Sequence, residues 1–428
     1  MGIFMKRKFS LFLVVCLSLM LMLSGCTTGA RTAKAADLMG NIQAAERPDP
    51  GTLPEEFRTS IHHFSAELLK ASADNTGNIL VSPASAYLAL AMTLNGADGE
   101  TKTAMLKVLA DQGLTVDQVN QSCRDWTELL KQTNSKTTLT IANSVWYGQD
   151  FKPYKPFLQA NADYYSADAR QLDLQNENTP NIINDWVKKA TQGKINTMVQ
   201  SIDPNVAMYL LNAVYFKSDW QTPFEKNATH PQSFNAPNGP AEASFMHKND
   251  PMPYFEAENA SGIALPYDDG HFAFFAVLPD GQITPREWLA NQDQSVLYKT
   301  ISETLAQKSM TTVQLALPKF EARYEDDFVN ELTRMGMAIA FDRNYADFSQ
   351  MNEQHKKDLF ISKVLQKTFI RVDEKGTEAA AATSVEMKTQ GAPVSGKKLT
   401  MDRPFLYGIM DTQTGLPLFI GIMENPTV

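Results

Sequence analysis

The residues able to do chemistry in this chain are its histidines, paired acids and cysteines, and their spacing argues against an active site. The six histidines are His62, His63, His230, His247, His271 and His355. His62 and His63 fall on a stretch of helical periodicity, where neighbours point about 100° apart, poor geometry for chelating one ion. Asp268-Asp269 and Glu325-Asp326-Asp327 offer paired carboxylates for acid–base work, but acidic turns and helix starts explain such clusters more simply. Of three cysteines, Cys16 and Cys26 lie in an N-terminal apolar stretch or at its end, which leaves Cys123 alone. A lone thiol without a Cys-x-x-Cys partner reads as a small buried hydrophobe. The chain has no Gly-x-x-x-x-Gly-Lys-Ser/Thr loop, Gly-x-Gly-x-x-Gly, His-Glu-x-x-His or Gly-x-Ser-x-Gly. Neither catalysis nor a bound metal or cofactor is expected.

The elements around these residues suggest one large domain behind an export leader. The chain has 428 residues, 43% of them hydrophobic and 20% charged, with a net charge of −9. That composition excludes a disordered polymer and disfavours nucleic acid as a partner. Lys6, Arg7 and Lys8 precede an apolar stretch from Phe9 to Leu23 that is short for a membrane span. Its ending, Leu23-Ser24-Gly25-Cys26, resembles the lipobox of bacterial lipoproteins. This implies a signal peptide over residues 1–25, a lipid on Cys26, and an exported chain that is held at the cell envelope facing outward or released. Residues 26–54 contain Pro48, Pro50, Gly51 and Pro54 without periodicity, and are expected to be a flexible tether. Residues 55–428 form the domain, expected to be a monomer.

Within the domain, Phe57-x-x-x-Ile61-x-x-Phe64-x-x-x-Leu68-Leu69 has the spacing of an amphipathic helix. Ser82-Pro83 reads as a capped start to a helix that runs through Leu94 and stops at Asn95-Gly96, and 181–190 is another helix. Short apolar runs at 139–147, 207–216, 263–267, 272–278, 313–317 and 416–423 predict strands. Helices early and strands later, without a βαβ rhythm, indicate the α+β class.

One segment contradicts itself. Four alanines after Glu378 favour a helix, yet 374–388 also alternates as a strand. Thr377, Ala379, Ala381, Thr383, Val385 and Met387 share one face, and Glu378, Ala380, Ala382, Ser384, Glu386 and Lys388 share the other. The small residues cluster at the start, so this end can slide between existing strands at little steric cost. Residues 389–396 are loop-like in composition. A segment able to be a loop or an inserted strand is the basis of a bistable switch.

These residues resemble the reactive-loop hinge of the serpins: Glu374-Lys375-Gly376-Thr377-Glu378-Ala379-Ala380-Ala381-Ala382-Thr383. The resemblance extends over almost all of 57–426. It includes Asn78-Ile79-Leu80-Val81-Ser82-Pro83-x-Ser85, Asn212-Ala213-Val214-Tyr215-Phe216-Lys217, Trp220, Pro223-Phe224-Glu225, Leu317-Pro318-Lys319-Phe320, Arg403-Pro404-Phe405 and Asn425-Pro426. It implies a fold of three β-sheets with eight or nine helices and an exposed reactive loop over about 374–400 that can insert into the main sheet. It implies an inhibitor that acts as a suicide substrate for serine proteases, with cysteine proteases as a further class. The cut loop inserts as a strand, a form of strand addition already recognised for this family, and drags the acylated protease with it.

The resemblance also assigns residues. Gly376 is the hinge glycine, Thr377 the first inserting residue and Ala379 to Ala382 the small hinge. Ser82, Ser85 and Asn212 match a polar cluster beneath the opening sheet, and Trp220 an aromatic at its top. Gln366 stands where the family usually has a histidine, which removes a histidine-based pH dependence. The family's spacing from Gly376 places the scissile bond at Gln390–Gly391. The segment up to Pro404 is about three residues longer than usual, so Lys388, Thr389 and Met387 are alternatives. A non-inhibitory carrier on the same fold is the competing reading, and the small hinge residues oppose it.

Overall fold

The computed structural model describes residues 35–46, 48–202, 208–292, 294–307, 309–377 and 396–427. Cys26 and the leader lie outside the described residues, as do Glu378, Ala379, Ala380, Ala381, Ala382, Thr383, Met387, Lys388, Thr389, Gln390 and Gly391.

The described chain forms three sheets and nine helices, the α+β architecture expected. Sheet A has seven strands in the order β1 (Ala36–Asp37), β4 (Asp168–Leu172), β3 (Thr138–Gly148), β5 (Met208–Asp219), β14 (Gly376–Thr377), β13 (Lys363–Val372) and β12 (Phe320–Asp327). Sheet B has six, β2 (Ile79–Val81), β17 (Pro417–Met423), β16 (Phe405–Asp411), β10 (Phe272–Pro279), β9 (Ala260–Pro266) and β8 (Tyr254–Ala257). Sheet C has four, β15 (Lys397–Thr400), β11 (Thr311–Pro318), β7 (Gly239–Met252) and β6 (Thr229–Ala236).

The helices are α1 (Glu55–Ser72), α2 (Pro83–Leu94), α3 (Gly99–Leu109), α4 (Val116–Leu130), α5 (Lys155–Tyr165), α6 (Thr179–Ala190), α7 (Pro285–Asn291) and α8 (Gln294–Gln307). The ninth, α9, is a broken run of Val329–Leu332, a π-turn at Thr333–Met337 and Ala338–Phe341, kinked where Gly336 takes φ 112°.

α1 lays Phe57, Ile61, Phe64 and Leu68 into the core, as its periodicity requires. α2 is different: all its residues are buried, which suits a stretch that is apolar or small all round. It packs between sheets A and B. Pro83 occupies the first turn and Ser82 the cap position, but the Ser82 hydroxyl does not cap. It donates instead to Leu418 O of β17, 2.7 Å away, and so ties the helix start to sheet B. A second apolar cluster covers the other face of sheet A. There Ile183 and Val187 of α6, with Ile195, Met198 and Val199 after it, pack on Trp146, Tyr209 and Leu211.

The tether expected over 26–54 is docked from Ala36 onward. β1 pairs with β4 (Ala36↔Gln171, Asp37↔Arg170), and the Leu38 N–H donates to Ala169 O at 3.0 Å. Leu38, Met39 and Ile42 pack against the core, and Ala45 N–H donates to the Asp163 carboxylate at 2.7 Å. The prolines further along masked this short apolar group, which covers part of an otherwise open sheet edge.

Candidate functional site

Sheet A opens between its central strands. β5 and β13 pair in parallel from Tyr209↔Lys363 to Ala213↔Lys367, and their pairing ends there. Further along, the two residues of β14 stand between them. Gly376 faces Asp219 and Thr377 faces Ser218 on β5, while Thr377 also faces Val372 on β13. Among the described residues, no strand fills the space between 214–217 of β5 and 368–371 of β13. Gly376 and Thr377, the last residues described before 396, lie at the head of that space.

The start of β14 is held from several sides. A Cβ on Gly376 would lie 2.1 Å from Ser218 O and 2.7 Å from Asp219 Cα, so only glycine fits against β5. Thr377 is fully buried and its hydroxyl meets the Tyr267 hydroxyl at 2.5 Å. Tyr267 in turn stacks on Trp220, with centroids 4.7 Å apart and planes 8° off parallel. Trp220 also fixes the turn ahead of β14, its ring Nε1–H donating to Asp373 O at 2.9 Å and its backbone N–H to Lys375 O at 2.8 Å. Glu374 accepts from Lys319 Nζ at 2.9 and 3.0 Å, and its carbonyl accepts from the Phe224 N–H at 2.8 Å. Burial opposes the Glu374 charge, but the Lys319 ammonium and backbone donation outweigh it and hold the carboxyl below its usual range.

Beneath the slot lies a buried polar network joining β5, β13 and the start of α2. The Gln366 amide makes a two-point contact with the Ser82 backbone: Oε1 accepts from Ser82 N–H at 2.7 Å and Nε2–H donates to Ser82 O at 3.0 Å. The same Nε2–H reaches across to Asn212 Oδ1 on β5 at 3.2 Å. Asn212 Nδ2–H donates to Ser85 O at 2.9 Å and to Asn143 Oδ1 at 2.5 Å. Thr368 donates to Leu80 O at 2.6 Å. Such a network holds its members tightly because an unpaired buried amide costs about 1–3 kcal/mol.

The structure thus brings Ser82, Ser85, Asn212 and Gln366 together below the slot, and Trp220, Glu374, Gly376 and Thr377 above it. Ser85 takes part through its carbonyl, while its buried hydroxyl has no hydrogen-bond partner among the described residues. Asn143, Thr368 and Tyr267 were not singled out from sequence, and Lys319 was named only within the motif Leu317–Phe320, with no role given to it. A polar Asn143 inside the strand run 139–147 was a usable signal. The Lys319–Glu374 pair spans 55 positions and had none. Cys123 is fully buried and burial pushes its thiol pKa well up, as suits an inert core residue.

Comparison with known proteins agrees with this geometry. The model of the family Serpin (serine protease inhibitor) matches residues 59–426. An uncharacterized serpin-like protein of Thermococcus kodakarensis is 32% identical over 380 residues, covering 86% of this chain and 85% of its own. The leukocyte elastase inhibitor of Equus caballus is 28% identical, covering 87% of this chain and all (100%) of its own. Among solved structures, the thermophilic serpin tengpin in its native state superposes with a TM-score of 0.85 at 39% identity, over 92% of this chain and 100% of that one. Tengpin in its latent state gives 0.75, over 87% and 99%. The chain therefore resembles the native more than the latent state, and it belongs to the serpin family.

Proposed function

We propose that this serpin inhibits serine proteases as a suicide substrate, and the observation that carries this is β14, whose two described residues sit between β5 and β13 at the head of a space that no described strand fills. Continuing its register places Ala379 and Ala381 on the Thr377 side and brings Thr383 opposite both Asn212 and Gln366. The residues that must pass first between the strands are small, so insertion meets little steric resistance.

The protease supplies the chemistry. Its serine hydroxyl adds to the carbonyl of the scissile residue, the amide bond breaks, and the amine of the following residue departs as a new N-terminus. The loop stays esterified to the protease. Insertion then carries the ester along sheet A; from Thr377 to Gln390 an extended strand spans roughly 46 Å at about 3.3 Å per residue. The cleaved bond is Gln390–Gly391, with Met387, Lys388 and Thr389 as alternative scissile residues. Cysteine proteases, through a thioester, form a further target class. The inhibitor contributes no catalytic residue.

The same reading places the protein outside the cytoplasm as a monomer. Residues 1–25 are removed as a signal peptide and Cys26 carries lipid that anchors the domain to the envelope.

The test is incubation with trypsin-, chymotrypsin-, elastase-, subtilisin- and papain-like proteases. An adduct that survives boiling in detergent, together with the mass of the released C-terminal peptide, establishes trapping and identifies the scissile bond. Cleavage by the panel without adduct, and without a gain in thermal stability, overturns the reading and leaves a carrier or binding role.

A further inference from the structure

Sheet C holds a pair of histidines that the opening in sheet A does not use. β6 and β7 run antiparallel with Thr229↔Met246 and His230↔Phe245, which sets His230 diagonally across from His247. The two rings lie 5.9 Å apart between centroids, with planes at 37°. Among the described residues neither imidazole has a hydrogen-bond or ion-pair partner. Other histidines are engaged: His62 with Gly415 O at 2.8 Å, His63 with Asp111 at 2.5 Å and His355 with Ser349 O at 3.2 Å.

His247 lines an open cavity of about 640 Å³ that also presents Gln232, Thr400, Asp402 and the lysines Lys248 and Lys398. Lys248, the next residue along β7, carries its ammonium over the Phe224 ring at 4.7 Å. Two imidazoles that share one ion at about 2.0–2.1 Å, near the tetrahedral angle, have ring centres about 5 Å apart. His230 is exposed and free to close the remaining distance by a small side-chain rotation. Paired neutral imidazoles with water completing the shell suit zinc, nickel or copper rather than the oxygen-seeking calcium and magnesium.

We propose that His230 and His247 form a two-imidazole binding site for a late first-row divalent cation such as Zn²⁺. The ion fastens β6 to β7 a few residues from Ser244, whose carbonyl accepts from the Lys319 N–H at 2.8 Å. It is thus bound close to the residue that pairs with Glu374 of the hinge.

The test titrates Zn²⁺ into the full chain in competition with a chromophoric chelator, and Co²⁺ into a parallel sample read by its visible absorption. The wild-type chain is expected to take up one ion, with affinity reduced about tenfold or more in His230→Asn and in His247→Asn. His271→Asn leaves it unchanged. Should His247→Asn unfold, the exposed His230→Asn decides alone, since nothing packs on it that the fold needs. Wild-type chain that fails to compete at roughly 100 µM Zn²⁺, or equal affinity in wild type and His230→Asn, overturns the site.

Discussion

Gly376→Ala tests the strand-insertion reading most directly. Gly376 does not need a left-handed backbone; its requirement is steric, because the added Cβ would sit 2.1 Å from Ser218 O. Ordinary carbon–oxygen contact needs about 3.3 Å, and the obstacle is backbone of a central strand rather than a side chain that can rotate. β14 must therefore leave its place. Its departure breaks the pairing of Gly376 and Thr377 with β5 and separates the Thr377 and Tyr267 hydroxyls. A buried tyrosine hydroxyl left unpaired costs about 1–3 kcal/mol and each lost hydrogen bond about 1 kcal/mol net, so the sum is about 3 kcal/mol. The same clash recurs in the inserted strand, because insertion keeps the register of its first residues. Slower insertion shifts the acyl-enzyme from trapping towards hydrolysis, with each 1.4 kcal/mol or so worth about tenfold in that partition. The assay is the molar ratio of inhibitor to protease needed for full inhibition, read beside gel-stable adduct and the thermal midpoint. The expected result is a variant cleaved at the wild-type site with little adduct, a ratio raised by an order of magnitude or more, and a lower midpoint. Wild-type ratio and midpoint in Gly376→Ala would refute both the steric argument and the role of β14 as the entering strand.

Three further outcomes follow from the same geometry. Gln366→His introduces a pH dependence that the amide lacks: a neutral imidazole can accept from Ser82 N–H, a protonated one cannot. Insertion of an added loop peptide is then expected to accelerate below about pH 6 in the variant and to stay flat in the wild type; flat profiles in both would sink the network's role. Because the folded Glu374 carboxyl titrates below its usual value, its stabilisation is intact at neutral pH and lost as pH falls through the carboxylate range. Glu374→Gln should lower stability at pH 7 by about 1–2 kcal/mol, a figure discounted because Lys319 is one-third exposed, and the gap from wild type should close on acidification in denaturant titrations. Deleting residues 35–46 uncovers the β4 edge and removes the contacts of Leu38, Met39 and Ile42, costing about 2 kcal/mol; an unchanged unfolding midpoint would show that β1 is not a stabilising part of the sheet.

The sequence made some elements plain and hid others for identifiable reasons. α1 and α6 were legible because one-sided burial imposes a helical period, and α2, β3, β5, β10 and β17 because extensive burial makes their runs largely apolar or small. The docking of 36–46 was not, since Leu38, Met39 and Ile42 are too few to make a period and are followed by prolines. Ser82 was readable as a helix cap from its place before Pro83, and its backbone does take the cap position. Only the tertiary structure reveals that its hydroxyl serves sheet B and its N–H and carbonyl serve Gln366. Lys319 and Glu374 meet across 55 positions with nothing local to announce the pair.

The candidate site was legible where local preferences conflict. A helix-favouring alanine run on strand-like alternation, after a glycine and a threonine, is inconsistent with any single resting conformation, and natural sequences reserve such conflicts for functional segments. The structure adds a gap in sheet A that the proposed insertion would fill. β5 and β13 are already parted at one end, Gly376 and Thr377 already occupy the first two positions, and the continued register would run to the side-chain hydrogen bond from Gln366 Nε2–H to Asn212 Oδ1 at 3.2 Å. Thr383 carries a hydroxyl that can take over a hydrogen bond when that contact is broken. An alanine at this position, with the rest of the loop unchanged, is therefore expected to enter the upper slot normally and to be penalised at the network. In Thr383→Ala the loop-cleaved form should lose about 1 kcal/mol while the intact form keeps its wild-type midpoint. Equal effects on the two forms would mean that the strand does not reach Gln366, and that trapping, if it occurs, depends on partial insertion alone.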